Sequence, residues 1–328
     1  MRATPLASAV FACACLGAAA CGPSAPAKSG VGAVGNNLDG GTPTGTTEGA
    51  RKVDLEFTLN GRPFPLPLVH GTVAGVETLI LVDTGANSHV IAGWLARKAN
   101  LTLRQMGDTG TDHTGHAIET RRAPHPQVAI TGWGNLPDEP MLVTDVPEAV
   151  SRLGIGAFLS PQQLATDDMP IILDFPHKEM RTGDRSTVLG NVGSALTLDP
   201  VRACLDEDSP VKGRAFVITG KVEGQTVELL LDSGAHHSDL LLSSKPGKAL
   251  LPKSEASKEQ VYAASGKVTP RILRSAKVIV GAVEGTFDVD LIPGERDDFC
   301  PRDGVLAMDV LQSCELILTP KSVQGQCR

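Results

Sequence analysis

Two carboxylates in this sequence reach glycine turns by the same route. The apolar run Leu79-Ile80-Leu81-Val82 ends at Asp83-Thr84-Gly85-Ala86, and Leu229-Leu230-Leu231 ends at Asp232-Ser233-Gly234-Ala235. Asp83 and Asp232 lie 149 positions apart (232 − 83), close to half of the 328-residue chain. Two carboxyls set a few ångström apart cannot both ionise easily, so they hold one proton between them. The ionised member can take a proton from water while the protonated member donates to a carbonyl oxygen, which is what hydrolysis of a peptide requires. Gly85 and Gly234 allow the backbone to turn sharply against the carboxyls, where a side chain would collide. A third triplet, Asp108-Thr109-Gly110, follows no apolar run and reads as an ordinary turn.

Each turn needs a strand to aim it, and the sequence supplies one twice. Upstream of Asp83 and of Asp232 lie two extended segments joined at Ala74-Gly75 and at Glu223-Gly224, the signature of β-hairpins. Downstream, Gly115 and Gly266 each sit in a polar turn between extended residues, at an offset of 151 (266 − 115). "RLGIGAFLSP" then aligns with "GVLAMDVLQS" at the same offset, and each is followed by one more β-rich run, "MPIILDF" or "CELILTP". Elements recurring in one order at near-constant spacing indicate two homologous lobes, 53–187 and 196–328, joined by 188–195. Helical patterning is confined to "SHVIAGWLARKANL" from Ser88 and to "SPQQLA", with Ser160 as N-cap and Pro161 at the first helical position.

Composition agrees. Aromatics are scarce while Gly and Pro are plentiful, which favours short strands and turns over long helices. A formal charge of −7 with no basic block argues against nucleic acid as a partner. Residues 1–21 have the layout of an export signal, too short in its apolar part to span a bilayer. Residues 22–52 are Gly, Ser, Thr, Pro and Ala with little to bury, a flexible tether. The tether's Gly30-Val31-Gly32-Ala33-Val34-Gly35 matches a dinucleotide fingerprint in letters, but neither strand nor helix flanks it. Cys204, Cys300, Cys314 and Cys327 form an even set in an exported chain and suggest two disulfides, with three pairings open.

The Asp-[Thr/Ser]-Gly-Ala turns, the hairpin around Gly115 and the later apolar-apolar-[Gly/Ala] segment together resemble the aspartic protease superfamily over residues 53–328. Two lobes in one chain look pepsin-like; their small size and the alanines Ala86 and Ala235 look retropepsin-like. The resemblance implies an all-β fold of two acid-protease lobes with a cleft between them, and Asp83 and Asp232 as the catalytic dyad. It also implies that Thr84 and Ser233 cross-link the turns, that Thr84, Gly85, Ala86, Ser233, Gly234 and Ala235 support the site, and that a flap carries His113, Gly115 and His116. Pepsin-like flaps carry a Tyr there; the only Tyr here is Tyr262, in the second lobe. In that lobe Ala307 stands where the Gly after the apolar pair is expected.

The N-terminus is similar to a bacterial lipoprotein signal: Ala18-Ala19-Ala20 precede Cys21, which would be lipidated, and Gly22 rather than Asp follows, which favours the outer membrane. His236 and His237 read as polar loop residues, Asp303 and Asp309 as solvated or capping, and His70, His89, His125 and His177 carry no assignment. No nucleophile elbow, His-Glu-x-x-His helix or phosphate loop is present, and no metal or cofactor is expected. The reading is therefore an exported, lipid-anchored, monomeric aspartic endopeptidase acting on peptide or protein substrates. The alternative is a catalytically inactive peptide- or polymer-binding protein on the same fold.

Overall fold

A computed structural model describes residues 10–11, 50–106, 110–112, 117–183, 201–206, 209, 211–263, 266–281, 283–296 and 299–327. The fold is mostly β-strand, in two lobes that repeat one topology. In the first, the hairpin Arg62–Val73/Val76–Val82 turns through Ala74 (φ 46°) and Gly75 (φ 78°). In the second, Gly213–Val222/Gln225–Leu231 turns through Glu223 (φ 51°) and Gly224 (φ 80°). Two successive positive φ values give the turn whose twist matches that of the flanking strands.

Beyond each hairpin the chain is threaded alike. Val76–Val82 pairs in parallel with Ile155–Leu159, which pairs antiparallel with Val90–Ala92, which pairs in parallel with Met141–Thr144. Gln225–Leu231 pairs in parallel with Gly304–Leu306, then Asp239–Leu241, then Val283–Ile292, with the same directions. The Asp-bearing strands read as continuous apolar runs because they are central, covered on both faces. Leu81, Val82, Leu230 and Leu231 are all buried.

This register corrects the sequence alignment. Leu159 pairs with Val82 and Leu306 with Leu231, so the segments correspond at an offset of 147 (306 − 159), and Ser160, not Gly156, matches Ala307. The expected helix from Ser88 also starts late: Val90–Ala92 is strand, and the helix spans Gly93–Lys98. Pro161–Gln163 is a single 3-10 turn with Ser160 as N-cap, without a side-chain capping bond.

The lobes share a five-stranded sheet whose centre is the antiparallel pair Ile171–Asp174 and Cys314–Leu318, flanked by Glu179–Thr182 and Lys52–Asp54 on one side and Val323–Cys327 on the other. The two late β-rich runs thus pair with each other. One apolar core continues through both lobes. The cysteines resolve to Cys204–Cys300 and Cys314–Cys327. Near the N-terminus Val10 and Phe11 run parallel to Val261 and Tyr262, on the hairpin that Val261–Ala263 forms with Gly266–Val268. Among the described residues no helix is long and apolar enough to cross a membrane.

Candidate active site

The strands Val76–Val82 and Gln225–Leu231 deliver Asp83 and Asp232 to the same point between the lobes. Each main chain is fixed by its parallel neighbour: Asp83 N donates to Leu159 O at 2.8 Å and Asp232 N to Leu306 O at 2.9 Å. The turns interlock. Thr84 N donates to Ser233 Oγ (3.0 Å), and Ser233 N to Thr84 Oγ1 (2.9 Å). The hydroxyls continue across, Thr84 Oγ1 to Leu231 O (2.9 Å) and Ser233 Oγ to Val82 O (2.8 Å). Four buried bonds related by the repeat leave the turns little freedom to slide.

The glycines then press on the acids. A methyl group placed on Gly85 would lie 2.5 Å from Oδ1 of Asp232, and one on Gly234 would lie 2.6 Å from Oδ1 of Asp83. Neither can be any residue with a Cβ unless a carboxylate moves. The two carboxyls are within hydrogen-bonding reach of each other. Both acids are fully buried. Asp232 is held well above the ordinary carboxylate range, first by burial and then by the charge of Asp83, opposed by a hydrogen bond from Gly234 N. That is the behaviour of two carboxyls sharing a proton.

The braces around the turns were not legible in sequence. Gln162, completely buried, brings Nε2 to 2.8 Å from Ala86 O and 3.0 Å from Thr84 O and Arg214 O. Arg214 replies from the other lobe, its N donating to Asn87 O (2.7 Å) and its Nη1 to Gln162 O (2.7 Å). His89 is not isolated: its Nδ1 accepts from Ser160 N (3.1 Å), and burial pushes its pKa down to about 4, so it is neutral. In the second lobe Ser238 Oγ accepts from Ala307 N (3.0 Å).

Asp303 and Asp309, expected in solvent or at a cap, are also structural. Asp303 is buried, with Oδ2 accepting from Glu228 N (3.0 Å). Asp309 takes both Ser238 N (2.9 Å) and Ser238 Oγ (2.7 Å). His236 and His237 are half-buried with ring centroids 4.0 Å apart, and burial together with the His237 charge pushes His236 down to about 4. Among the described residues no three His, Cys, Asp or Glu side chains are grouped to hold a metal. His113, Gly115, His116 and Cys21 lie outside the described residues.

The structure thus places paired acids on interlocked glycine turns, one from each of two like β-lobes, an arrangement in which two carboxyls can share one proton. A family model for aspartyl protease matches residues 69–158 and 218–310, so each half of the match contains one turn, and the chain belongs to that family. Among solved structures the chain is similar to the aspartic proteinase from Irpex lacteus, with 11% sequence identity and a TM-score of 0.45, over 85% of this chain and 97% of that one. No curated protein matches.

Proposed function

We propose that the protein is an aspartic endopeptidase in which Asp83 and Asp232 are the catalytic pair. Water bound between the carboxyls attacks the peptide carbonyl carbon. Asp83 takes a proton from the water and Asp232 gives its proton to the carbonyl oxygen. The tetrahedral diol then breaks its C–N bond: Asp83 gives the departing nitrogen the proton taken from water, and one diol hydroxyl passes its proton to Asp232 as the C=O re-forms, so that one water is consumed and the pair again holds a single proton. Family membership supports hydrolase chemistry, and the observation that carries the reading is the mutual contact of each turn's glycine with the other turn's carboxylate. A dyad spaced for any looser purpose would not exclude a methyl group at both positions.

The substrate is a peptide or protein segment laid extended between the lobes, taken by a monomer. Residues 1–21 are the export signal, 22–52 the tether, 53–187 and 196–328 the lobes and 188–195 their connection, with Cys21 the lipidated anchor to an outer membrane. The disulfides fit an oxidising compartment. Cleavage ahead of Cys21 would also remove Val10 and Phe11, freeing the edge of Val261–Ala263. Peptide-library cleavage by purified protein at mildly acidic pH tests the reading: Asp83→Asn and Asp232→Asn should each abolish it. Unchanged cleavage by both variants would sink the assignment.

A further inference from the structure

The two halves of the dyad are held by different chemistry. Asp83 Oδ1 accepts two main-chain donors, Gly85 N at 2.9 Å and Ala86 N at 3.0 Å. Asp232 Oδ1 accepts Gly234 N at 2.8 Å, while Ala235 N is directed at the main-chain oxygen of Asp232, at 3.4 Å. A carboxylate that accepts more N–H bonds is more easily kept ionised. The asymmetry has a visible source. Gln162 and Asp309 occupy the same place in the two lobes, each three residues beyond the paired Leu159 and Leu306.

Gln162 is a donor at that place. Its amide takes the carbonyls of Thr84 and Ala86 on either side of the turn; the Thr84 carbonyl shares a peptide plane with Gly85 N, which points the other way to Asp83, and Ala86 N lies beside it on the same carboxylate oxygen. Asp309 is an acceptor. It takes the amide and hydroxyl of Ser238, and the carbonyls of its turn go to main-chain donors instead: Ala235 O to Met308 N and His236 O to Asp309 N, both at 3.0 Å.

We propose that Gln162 and Asp309 are positioning residues for the two halves of the dyad, and that through them the shared proton is kept on Asp232 while Asp83 is the carboxylate that accepts a proton from water. The proton's place deepens the protease reading and rests on it; the geometry of the braces does not. Other charged groups near Asp232 act in the same sense: Asp83 across the site and Asp239 behind it both favour its protonated form. Asp239 in turn faces Asp290, Asp309 and the buried Arg302, of which only the arginine favours its ionised form. Asp309 also lies within the field of His237, which favours its ionised form.

The test is carboxyl 13C NMR titration of the full chain labelled at aspartate Cγ, with Asp83→Asn and Asp232→Asn assigning the two resonances. In the wild type the Asp83 midpoint should lie below that of Asp232; the reverse order overturns the proposal. Gln162→Met removes the donor at nearly constant volume and should raise the Asp83 midpoint by about one pH unit, a tenfold change in its proton affinity. Asp309→Asn should move the Asp232 midpoint by more than it moves that of Asp83. A brace with a merely structural role would move both midpoints alike or neither, and either result overturns it. Should Gln162→Met not fold, the wild-type order and Asp309→Asn still decide. Peptide cleavage is measured in parallel: an inactive wild type with ordered midpoints defeats the protease reading alone, and an active wild type with reversed midpoints defeats this one alone.

Discussion

The strand that follows each acid-bearing turn occupies one position in the fold and two environments. In the first lobe Val90 lies beside Leu142 on one neighbour and Phe158 on the other, all apolar and buried. In the second, Asp239 replaces the valine and Asp290 the leucine, in register on adjacent parallel strands, 4% and 8% exposed. Behind one turn is a hydrocarbon wall, and behind the other a buried acid pair. The acceptors differ too: His89 receives the amide of Ser160 where Ser238 receives that of Ala307. The repeat preserves hydrogen bonds and leaves the atoms that make them free to change. What a lobe gains from its particular atoms is a pH dependence of its own.

The two dependences run in opposite directions. His89 accepts through Nδ1, so the folded first lobe needs it neutral, and its pKa drops from 6.5 to about 4. Between those values the unfolded chain binds a proton that the folded one refuses, so stability is lost as the pH falls through that window. Asp290 is pushed up to about 7 by burial and then by the charge of Asp309. Between its ordinary value of 3.8 and about 7 the folded chain keeps a proton that the unfolded chain has released, so stability is lost as the pH rises. Asp239, held well above the ordinary range by burial and by Asp290, extends the same trend. Between about pH 4 and 6.5 the two trends oppose and largely cancel; above 6.5 only the acid pair still titrates, so stability falls as the pH rises through neutrality.

The harshest way to break the symmetry of the site is through its glycines. Gly85→Ala and Gly234→Ala each drive a methyl into the opposite carboxylate, and peptide cleavage should fall by about a thousandfold, roughly 4 kcal/mol of barrier. An alanine variant retaining a tenth of wild-type activity would show that the turns can separate cheaply. Asp290→Asn keeps the shape and stops the titration. The stability difference between pH 5 and pH 8, read from denaturant midpoints, should shrink by about 3 kcal/mol; an unaltered difference would remove Asp290 as the alkaline limit. His89→Gln keeps a side-chain acceptor and should lessen the loss of stability between pH 7 and pH 4 by about 2 kcal/mol, reduced because His89 is only partly enclosed. If that loss persists, some other group sets the acid limit.

Gly85 and Gly234 stood out in the sequence, whereas Asp290 and the role of His89 did not, for a physical reason. Asp83, Asp232 and their hairpins were legible because their signals are local: an apolar run, then a turn residue, with Ala74-Gly75 and Glu223-Gly224 supplying the positive φ. The cross-links from Thr84 to Ser233 followed from a family resemblance. The braces have no local signal. Gln162 reaches back 76 and 78 positions to its turn, His89 meets Ser160 across 71, and Asp309 meets Ser238 across 71. Such pairs become visible only through an alignment of the lobes, and the alignment by letters was four positions off (151 against 147) because it set Ile155-Gly156 against Leu306-Ala307. With the strand register in hand, Gln162 and Asp309 fall opposite one another. Burial was misjudged for Asp303, and the Ser238 partner of the half-buried Asp309 was missed, because charge predicts exposure unless a partner is known.

The lobes also differ in what holds them covalently, and the contrast can be measured. Cys204–Cys300 ties the outer strand Val201–Asp206 to the loop entering Gly304–Leu306, spanning 96 positions, whereas Cys314–Cys327 closes a hairpin of the shared sheet over 13. In the first lobe no disulfide is present among the described residues; its turn is held to the second lobe by Gln162 and Arg214. If a cross-link acts mainly by shrinking the unfolded ensemble, the longer loop contributes more. Replacing Cys204 and Cys300 together by Ser should then cost about 1.5 kcal/mol more than replacing Cys314 and Cys327, read from denaturant midpoints at one pH. The reverse order would mean that the shared sheet depends on its hairpin bond more than loop length implies, and that the seam between the lobes, rather than the edge of the second, is the weaker element.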